Sequence, residues 1–416
     1  MLKTIPSIMA TGLRDEMAAI AQRGLFQTQE AMLETGKKSN SLFIGIPKEI
    51  SYQECRIALT PLSVALLVNN GHKVVLEAGA GDGANFSDKD YSEQGAQISF
   101  NKKDVWAADI IVKIAPPTLE EISMMHKGQT LISALQIGTL KAEVLKGLLQ
   151  KKINALCFEN IRDEGNVLTV VRAMSEIVGA TSIFIAAEYL SSAFGGKGLM
   201  LGGFTGVPPT EIVILGAGTV GEYAARTALS LGAEVKVFDS SIFKLRRLQN
   251  NLGSRVFTSV MQPIVLGKAI TTCDVVIGAI RSEHGRSPCV VMEETVARMK
   301  PHSVVVDVSI DQGGCFETSE VTDHKEPTFV KHDVIHYCVP NIASRVPRTA
   351  SYALTNIFAP ILVDIGDMGG LMNMVWSKPG IREGLYCYQG HLTNKDLATM
   401  YNLPYKDLEL LVLSNQ

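Results

Sequence analysis

Three glycines at fixed spacing, Gly216, Gly218 and Gly221, followed by an acid, Asp239, form the most chemically specific pattern in the sequence. Each position suits a separate task around a phosphate. A glycine at 216 permits a tight turn, one at 218 lets a pyrophosphate approach the backbone, and one at 221 lets a helix pack close to a strand. Free N–H groups and a positive dipole at the start of that helix attract the phosphate charge. An acidic side chain about 20 residues downstream accepts hydrogen bonds from both ribose hydroxyls and repels a 2′-phosphate. Together these residues imply a dinucleotide site with NAD favoured over NADP.

Such a site works only when a strand, a turn, a helix and a second strand hold it. Residues 211–239, EIVILGAGTVGEYAARTALSLGAEVKVFD, supply them. Ile212–Leu215 reads as a buried parallel strand. Ala224, Ala225, Ala228 and Leu229 share one helical face, and Glu234–Phe238 forms the second strand, ending at Asp239. The same alternation extends both ways. Upstream strands are predicted at 42–46, 72–77, 108–115, 129–136 and 153–158, and downstream ones at 273–280, 302–309 and near 336–341. Thr60-Pro61 predicts a helix start, with Thr60 as N-cap. A long helix is expected over 175–194, with Ser175 able to serve as its N-cap. Another begins near Arg348, and the last 50 or so residues read as mostly helical.

This pattern predicts an α/β protein of two doubly wound, Rossmann-like parallel-sheet domains. The expected organisation has an N-terminal helical extension over 1–41, a discontinuous substrate domain over 42–169 and 348–416, and an inserted NAD-binding domain over 170–347. The cleft between the two domains is then the expected ligand site.

Composition narrows the function classes. With 46% hydrophobic and 19% charged residues in 416, the chain can build a large core and is not disordered. A net charge of −3 without a basic run argues against nucleic acid or an anionic membrane as partner. The seven cysteines are odd in number, scattered, and lack a C-x-x-C pair, which suits reduced thiols in a cytoplasm. No apolar signal region follows Lys3, no uninterrupted membrane-length apolar stretch occurs, and no metal-ligand cluster is evident.

Several long strings now point one way: GIPKEI (45–50), CRIALTP (55–61), EAGAGDGANFSDKDY (77–91), AMSEIVG (173–179), GAGTVG (216–221), VDVSIDQGGCFE (306–317) and VPNIASRVPRTASYALTN (339–356). The sequence from Leu42 onward resembles the alanine dehydrogenase/pyridine nucleotide transhydrogenase family. The IDQGGCFE string is similar to the amino-acid dehydrogenase branch in particular. The resemblance implies NAD-dependent, reversible oxidative deamination of L-alanine to pyruvate and ammonia, and a homohexamer. It assigns Arg56 to the substrate carboxylate, which a guanidinium fork matches bidentately. It also assigns Asp311 to proton relay beside the nicotinamide, Ser175 to the cofactor, and Asn341 to the loop over the site.

Two positions depart from the family. Ala115 stands where the amino-acid dehydrogenases carry a lysine for the carboxylate, and Gln136 stands where they carry the catalytic histidine. Both are expected to line the cleft from strand ends. Lys113, two residues before Ala115, shares its strand face and is a second candidate for the carboxylate; the ordinary alternative is a packed stem with its ammonium in water. Glutamine keeps a hydrogen bond to the substrate carbonyl but cannot exchange a proton near neutral pH. The expected catalytic pair is therefore Asp311 with Gln136. Other readings are an imino-acid or opine-type reductase with a different oxo acid, a soluble transhydrogenase subunit, and a non-catalytic NAD sensor.

If Asp239 selects NAD, Asp239→Ser narrows the ratio of NADH to NADPH affinity at least tenfold. Fluorescence titration of both nucleotides measures it, and an unchanged ratio removes Asp239 from the ribose site.

Overall fold

The computed structural model describes residues 41–136, 140–282 and 286–413, so the predicted N-terminal extension falls almost wholly outside the described residues. Strands β1 (Phe43–Ile46), β2 (Lys73–Glu77), β3 (Gln97–Ser99), β4 (Ile110–Val112), β5 (Thr130–Ser133) and β6 (Asn154–Cys157) alternate with helices. Then follow β7 (Glu211–Leu215), β8 (Glu234–Phe238), β9 (Phe257–Ser259), β10 (Val275–Gly278), β11 (Val304–Asp307), β12 (Thr328–Lys331) and β13 (Val334–Tyr337). Near the C-terminus lie β14 (Leu385–Tyr388) and β15 (His391–Leu392).

The strands form two sheets, ordered β15-β14-β6-β5-β4-β1-β2-β3 and β12-β13-β11-β10-β7-β8-β9. Each repeats one doubly wound pattern, in which the third, second and first strands lie on one side and the fourth and later ones on the other. The order reverses between β1 and β4, and again between β7 and β10. Loops leave the sheet in opposite directions at those two points and open a crevice at the carboxyl ends of the strands. The strands are parallel except β14, β15 and β12, which pair antiparallel at the edges. Apolar layers cover both faces of each sheet. That burial is why runs such as IVIL (212–215) and VVV (304–306) show no polar alternation.

The C-terminal part does join the first sheet, but through a hairpin that the helical expectation for this part did not contain. The four residues of β14 are all buried, and so short an apolar run carries no period to separate strand from helix. Thr60-Pro61 does start a helix, Pro61–Asn69, although the Thr60 side chain makes no capping bond. The long helix runs Thr169–Leu190 with Leu168 as N-cap, so Ser175 sits in its second turn and is not a cap.

This helix and Pro347–Asp367 pack on one another, and the first also packs along Thr219–Ser230. Gly179 permits that approach, since a Cβ there would meet the Val220 carbonyl oxygen at 2.4 Å. Thr169–Leu190 is also long and apolar enough to cross a bilayer. Its Ile183, Ile185, Ala186 and Leu190 pack into the core of the second sheet, while Phe184 stays exposed.

The two outer glycines of the fingerprint are fixed by sterics. Gly216 has φ +108°, and a Cβ there would lie 2.3 Å from the Ala279 carbonyl oxygen. A Cβ at Gly221 would lie 1.9 Å from the Gly216 carbonyl oxygen. Gly218 differs, because a Cβ there meets nothing within 4 Å. Gly221→Ala is therefore expected to lower folding stability by at least about 2 kcal/mol. Gly218→Ala should leave stability within about 0.5 kcal/mol and weaken dinucleotide binding. Urea unfolding and NADH titration of the two variants check the contrast.

Candidate active site

The carboxyl ends of both sheets face a single cleft of about 360 Å³, within the range of small-ligand sites. The first sheet contributes Ile114 after β4, Ala134 and Gln136 after β5, and Phe158 and Glu159 after β6. The second contributes Val220 from the helix after the glycine loop, Ala279–Arg281 after β10, Val308, Ser309, Asp311 and Gln312 after β11, and Val339 and Asn341–Ala343 after β13. Helix Thr169–Leu190 forms the back wall through Val170, Met174, Ser175 and Val178, and Arg56 enters from the loop after β1. Five residues expected at the site thus line one cavity: Arg56, Gln136, Ser175, Asp311 and Asn341.

The glycine loop suits a dinucleotide. Gly218 is the N-cap of helix Thr219–Ser230 and supplies no side-chain cap, so the first N–H groups stay open to a phosphate. The open space beside Gly218 is where the pyrophosphate would approach. Asp239 directly follows β8 and is buried; Oδ2 accepts from Ala217 N at 2.7 Å and Oδ1 from Ser241 N at 2.7 Å. Each oxygen retains acceptor capacity for a ribose hydroxyl. Arg247 braces the same turn by donating to the Ala217 carbonyl at 3.2 Å.

Arg56 is largely buried and held by Glu54. Its Nε donates to Oε1 at 2.7 Å and its Nη2 to Oε2 at 2.6 Å, which occupies the side-on edge of the guanidinium. The end-on edge remains, where Nη1 touches the Met174 sulfur at 3.6 Å. A guanidinium has five donors in two forks, so Arg56 can engage a second carboxylate while bound to the first. Burial pushes the Glu54 carboxyl up, but bonds from Arg56 and then Asn341 outweigh it and hold the group below the usual carboxylate range.

Asp311 lies in a one-turn helix, Val308–Gln312, after β11. Asp307, fully buried, shapes this loop by accepting from Ser309 N at 2.9 Å, Cys315 N at 2.9 Å and Ser319 Oγ at 2.6 Å. Desolvation raises the Asp311 carboxyl above its ordinary range, against the pull of the Asn341 N–H and Arg56. Its surface is open to the cleft, so water softens this displacement until a ligand fills the space.

Gln136 adopts a left-handed conformation, φ +48°, uncommon for a residue with a side chain and often found where a site constrains the backbone. Glu159 accepts from both Leu135 N and Gln136 N at 2.9 Å through one oxygen, Oε2. Ser175 faces the cleft from its helix, half-buried. Asn341 also has positive φ, +58°, and its amide donates to Glu54 Oε2 at 2.9 Å.

Lys113 is a correction. Its ammonium reaches neither the substrate cleft nor water. The side chain is fully buried, with Nζ 3.1 Å from Glu121 Oε1 and 3.5 Å from Glu49 Oε2. Glu121 caps its own helix in a capping box with Thr118, and Glu49 accepts from Ile114 N and Ala115 N, so both acids have structural tasks. Desolvation lifts Glu49 to about 7 despite Lys113. Ala115 is buried and does not line the cleft; Ile114 and Ala134 do. The expectation of a shared strand face for 113 and 115 did not include the buried acids Glu49 and Glu121 that hold Lys113. Glu54, Glu159 and Asp307 were not singled out from the sequence, although each lies beside a predicted strand end or beside Arg56.

Two doubly wound sheets with a glycine-loop site and an arginine–aspartate pair across one cleft define a two-lobed, dinucleotide-dependent oxidoreductase. Comparison with known proteins specifies the class. Residues 45–178 match the family described as alanine dehydrogenase/PNT, N-terminal domain, and residues 182–395 its C-terminal domain. Alanine dehydrogenase from Mycolicibacterium smegmatis is 40% identical over 367 residues, covering 88% of this chain and 98% of that protein. A solved L-alanine dehydrogenase superimposes with TM-score 0.81 at 36% identity, covering 86% of this chain and 99% of that one. The transhydrogenase from Sinorhizobium meliloti is more distant, with TM-score 0.73 at 25% identity over 85% and 99% of the two chains. The chain belongs to the alanine dehydrogenase/PNT family.

Proposed function

We infer that the protein catalyses the reversible, NAD-dependent oxidative deamination of L-alanine: L-alanine, NAD⁺ and water give pyruvate, ammonium, NADH and a proton. The observation that carries this reading is that Arg56 on one lobe and Asp311 on the other line the same cleft beside the glycine loop. When bound, the nicotinamide ring supplies the acceptor for the α-hydrogen as hydride.

The protein's own residues do the rest. The free fork of Arg56 takes the substrate carboxylate and fixes the α-carbon. The amide of Gln136 donates to the carbonyl oxygen of the oxo acid, and its backbone is held for this by Glu159. Asp311 is positioned to accept the proton released as water adds to the substrate imine, and its raised pKa improves it as a base. The apolar wall of Val170, Met174 and Val178 leaves room for a small side chain and sheds water when occupied.

NAD specificity rests on Asp239, whose carboxylate occupies the end of β8. The boundaries 42–169 with 348–416 and 170–347 remain our division of the chain into substrate and nucleotide domains. Exposed Phe184, Phe194, Met200, Phe204 and Val207 support a homo-oligomer, with a hexamer the form expected from the family resemblance. Free cysteines support a cytoplasmic setting. A second reading, a reductase for a larger oxo acid, is favoured by Gln136 and Ala115 in place of the family's histidine and lysine; NADH oxidation with a panel of oxo acids and amines separates the two.

Arg56→Ala should lower kcat/KM for L-alanine by about 10- to 100-fold or more, matching the ~1.5–3 kcal/mol of a hydrogen bond to a charged group. NADH affinity should stay within twofold, and unaltered kinetics would take Arg56 out of the site. Gln136→His should raise alanine turnover and add a limb with a pKa of about 6.5 to the rate profile. A profile that does not move would show that proton transfer is complete without it.

A further inference from the structure

Glu54 stands where three constraints meet. Its side chain is 4% exposed and comes from the loop after β1. Oε1 accepts from Arg56 Nε and, at 3.0 Å, from Arg56 N, while Oε2 accepts from Arg56 Nη2. The remaining capacity goes to the other lobe. Oε2 accepts from Asn341 Nδ2 at 2.9 Å, and Oε1 lies 3.4 Å from Ser344 Oγ. The same hydroxyl donates to the Gln53 carbonyl at 2.9 Å and accepts from Cys55 N at 2.8 Å. The loop after β13 thereby grips the loop that carries Arg56 at several points, with Glu54 at the centre.

We propose that Glu54 is a positioning residue for substrate binding: it turns the end-on fork of Arg56 into the cleft, and through Asn341 it makes that orientation depend on the two lobes being engaged. This rests on Arg56 holding the substrate carboxylate. Without a partner on its side-on edge, the guanidinium could rotate about its last bonds and lose the alignment a bidentate contact needs. A glutamine at 54 cannot replace the carboxylate. It has one acceptor oxygen for donors from Arg56 and Asn341, and its own NH₂ would face one of them.

The test is calorimetric titration of pyruvate into the full-length protein saturated with NADH, for the wild type, Glu54→Gln and Glu54→Asp. Pyruvate should bind Glu54→Gln at least tenfold more weakly, with NADH affinity within twofold. Glu54→Asp should recover part of the loss. In turnover, KM for L-alanine should rise by more than kcat falls. Pyruvate binding that is unchanged or tighter in Glu54→Gln would overturn the proposal, because Glu54 would then be a counter-charge competing with substrate. Should Glu54→Gln fail to fold, Glu54→Asp decides, since its carboxylate is drawn back by one methylene and an unchanged affinity is equally fatal. A wild type that binds pyruvate but does not turn over alanine sinks the deamination reading alone. A wild type that binds no pyruvate sinks both.

Discussion

The cleft depends on carboxylates that collect backbone N–H groups where parallel strands end. A loop leaving a buried strand carries donors that cannot be left unpaired, and at a ligand site the backbone must stay open. In this protein buried or partly buried acids resolve the conflict repeatedly. Glu49 takes Ile114 N and Ala115 N after β4, and Glu159 takes Leu135 N and Gln136 N after β5. Asp239 takes Ala217 N after β7 and Ser241 N after β8, and Asp307 takes Ser309 N and Cys315 N after β11. Each pair of bonds sets the path by which a strand delivers its next residues to the cavity. The catalytic candidates are thus placed by anions lying behind them, several of which never face the cleft.

This arrangement explains what the sequence revealed and what it hid. The glycine fingerprint and the strand–helix alternation were legible, because each leaves a local pattern of period or turn chemistry. Gly221 could be assigned to close packing from spacing alone, and a Cβ there would lie 1.9 Å from the Gly216 carbonyl oxygen, which agrees. Short elements escaped, β14 because its four buried residues show no period. The family resemblance named Arg56, Asp311, Ser175 and Asn341 and marked Gln136 as a departure; the structure lines one cavity with all five and adds the neighbours that orient them. Lys113 went astray because burial of an ammonium between Glu49 and Glu121 joins residues 64 and 8 positions apart, and no local pattern encodes such a triad. Once paired, that lysine is a structural pillar under β4.

In the proposed reading, Ala115 in place of the lysine that the family resemblance implies changes the nature of carboxylate recognition. Lys113 is neutralised by its own acids, Ala115 carries no charge, and Arg56 is matched by Glu54. On the first lobe, then, little net positive charge remains near the expected carboxylate position. Such a site offers an anion little field strength, which water and salt would screen further. It must hold it by direction, through hydrogens of one guanidinium fork aimed at two oxygens. Directional binding is sensitive to small rotations in a way that point-charge attraction is not. Selection of an acid as the fixed partner of Arg56 follows from that, and so does the link from that acid to Asn341 on the opposite lobe. With that link in place, Arg56 and Asp311 line the same cleft. With a glutamine in place of a histidine at position 136, the residue there can bind but cannot exchange a proton near neutral pH, and in the proposed reaction Asn341, which donates its amide to Glu54 and its N–H to Asp311, joins the carboxylate clamp to the proposed proton acceptor.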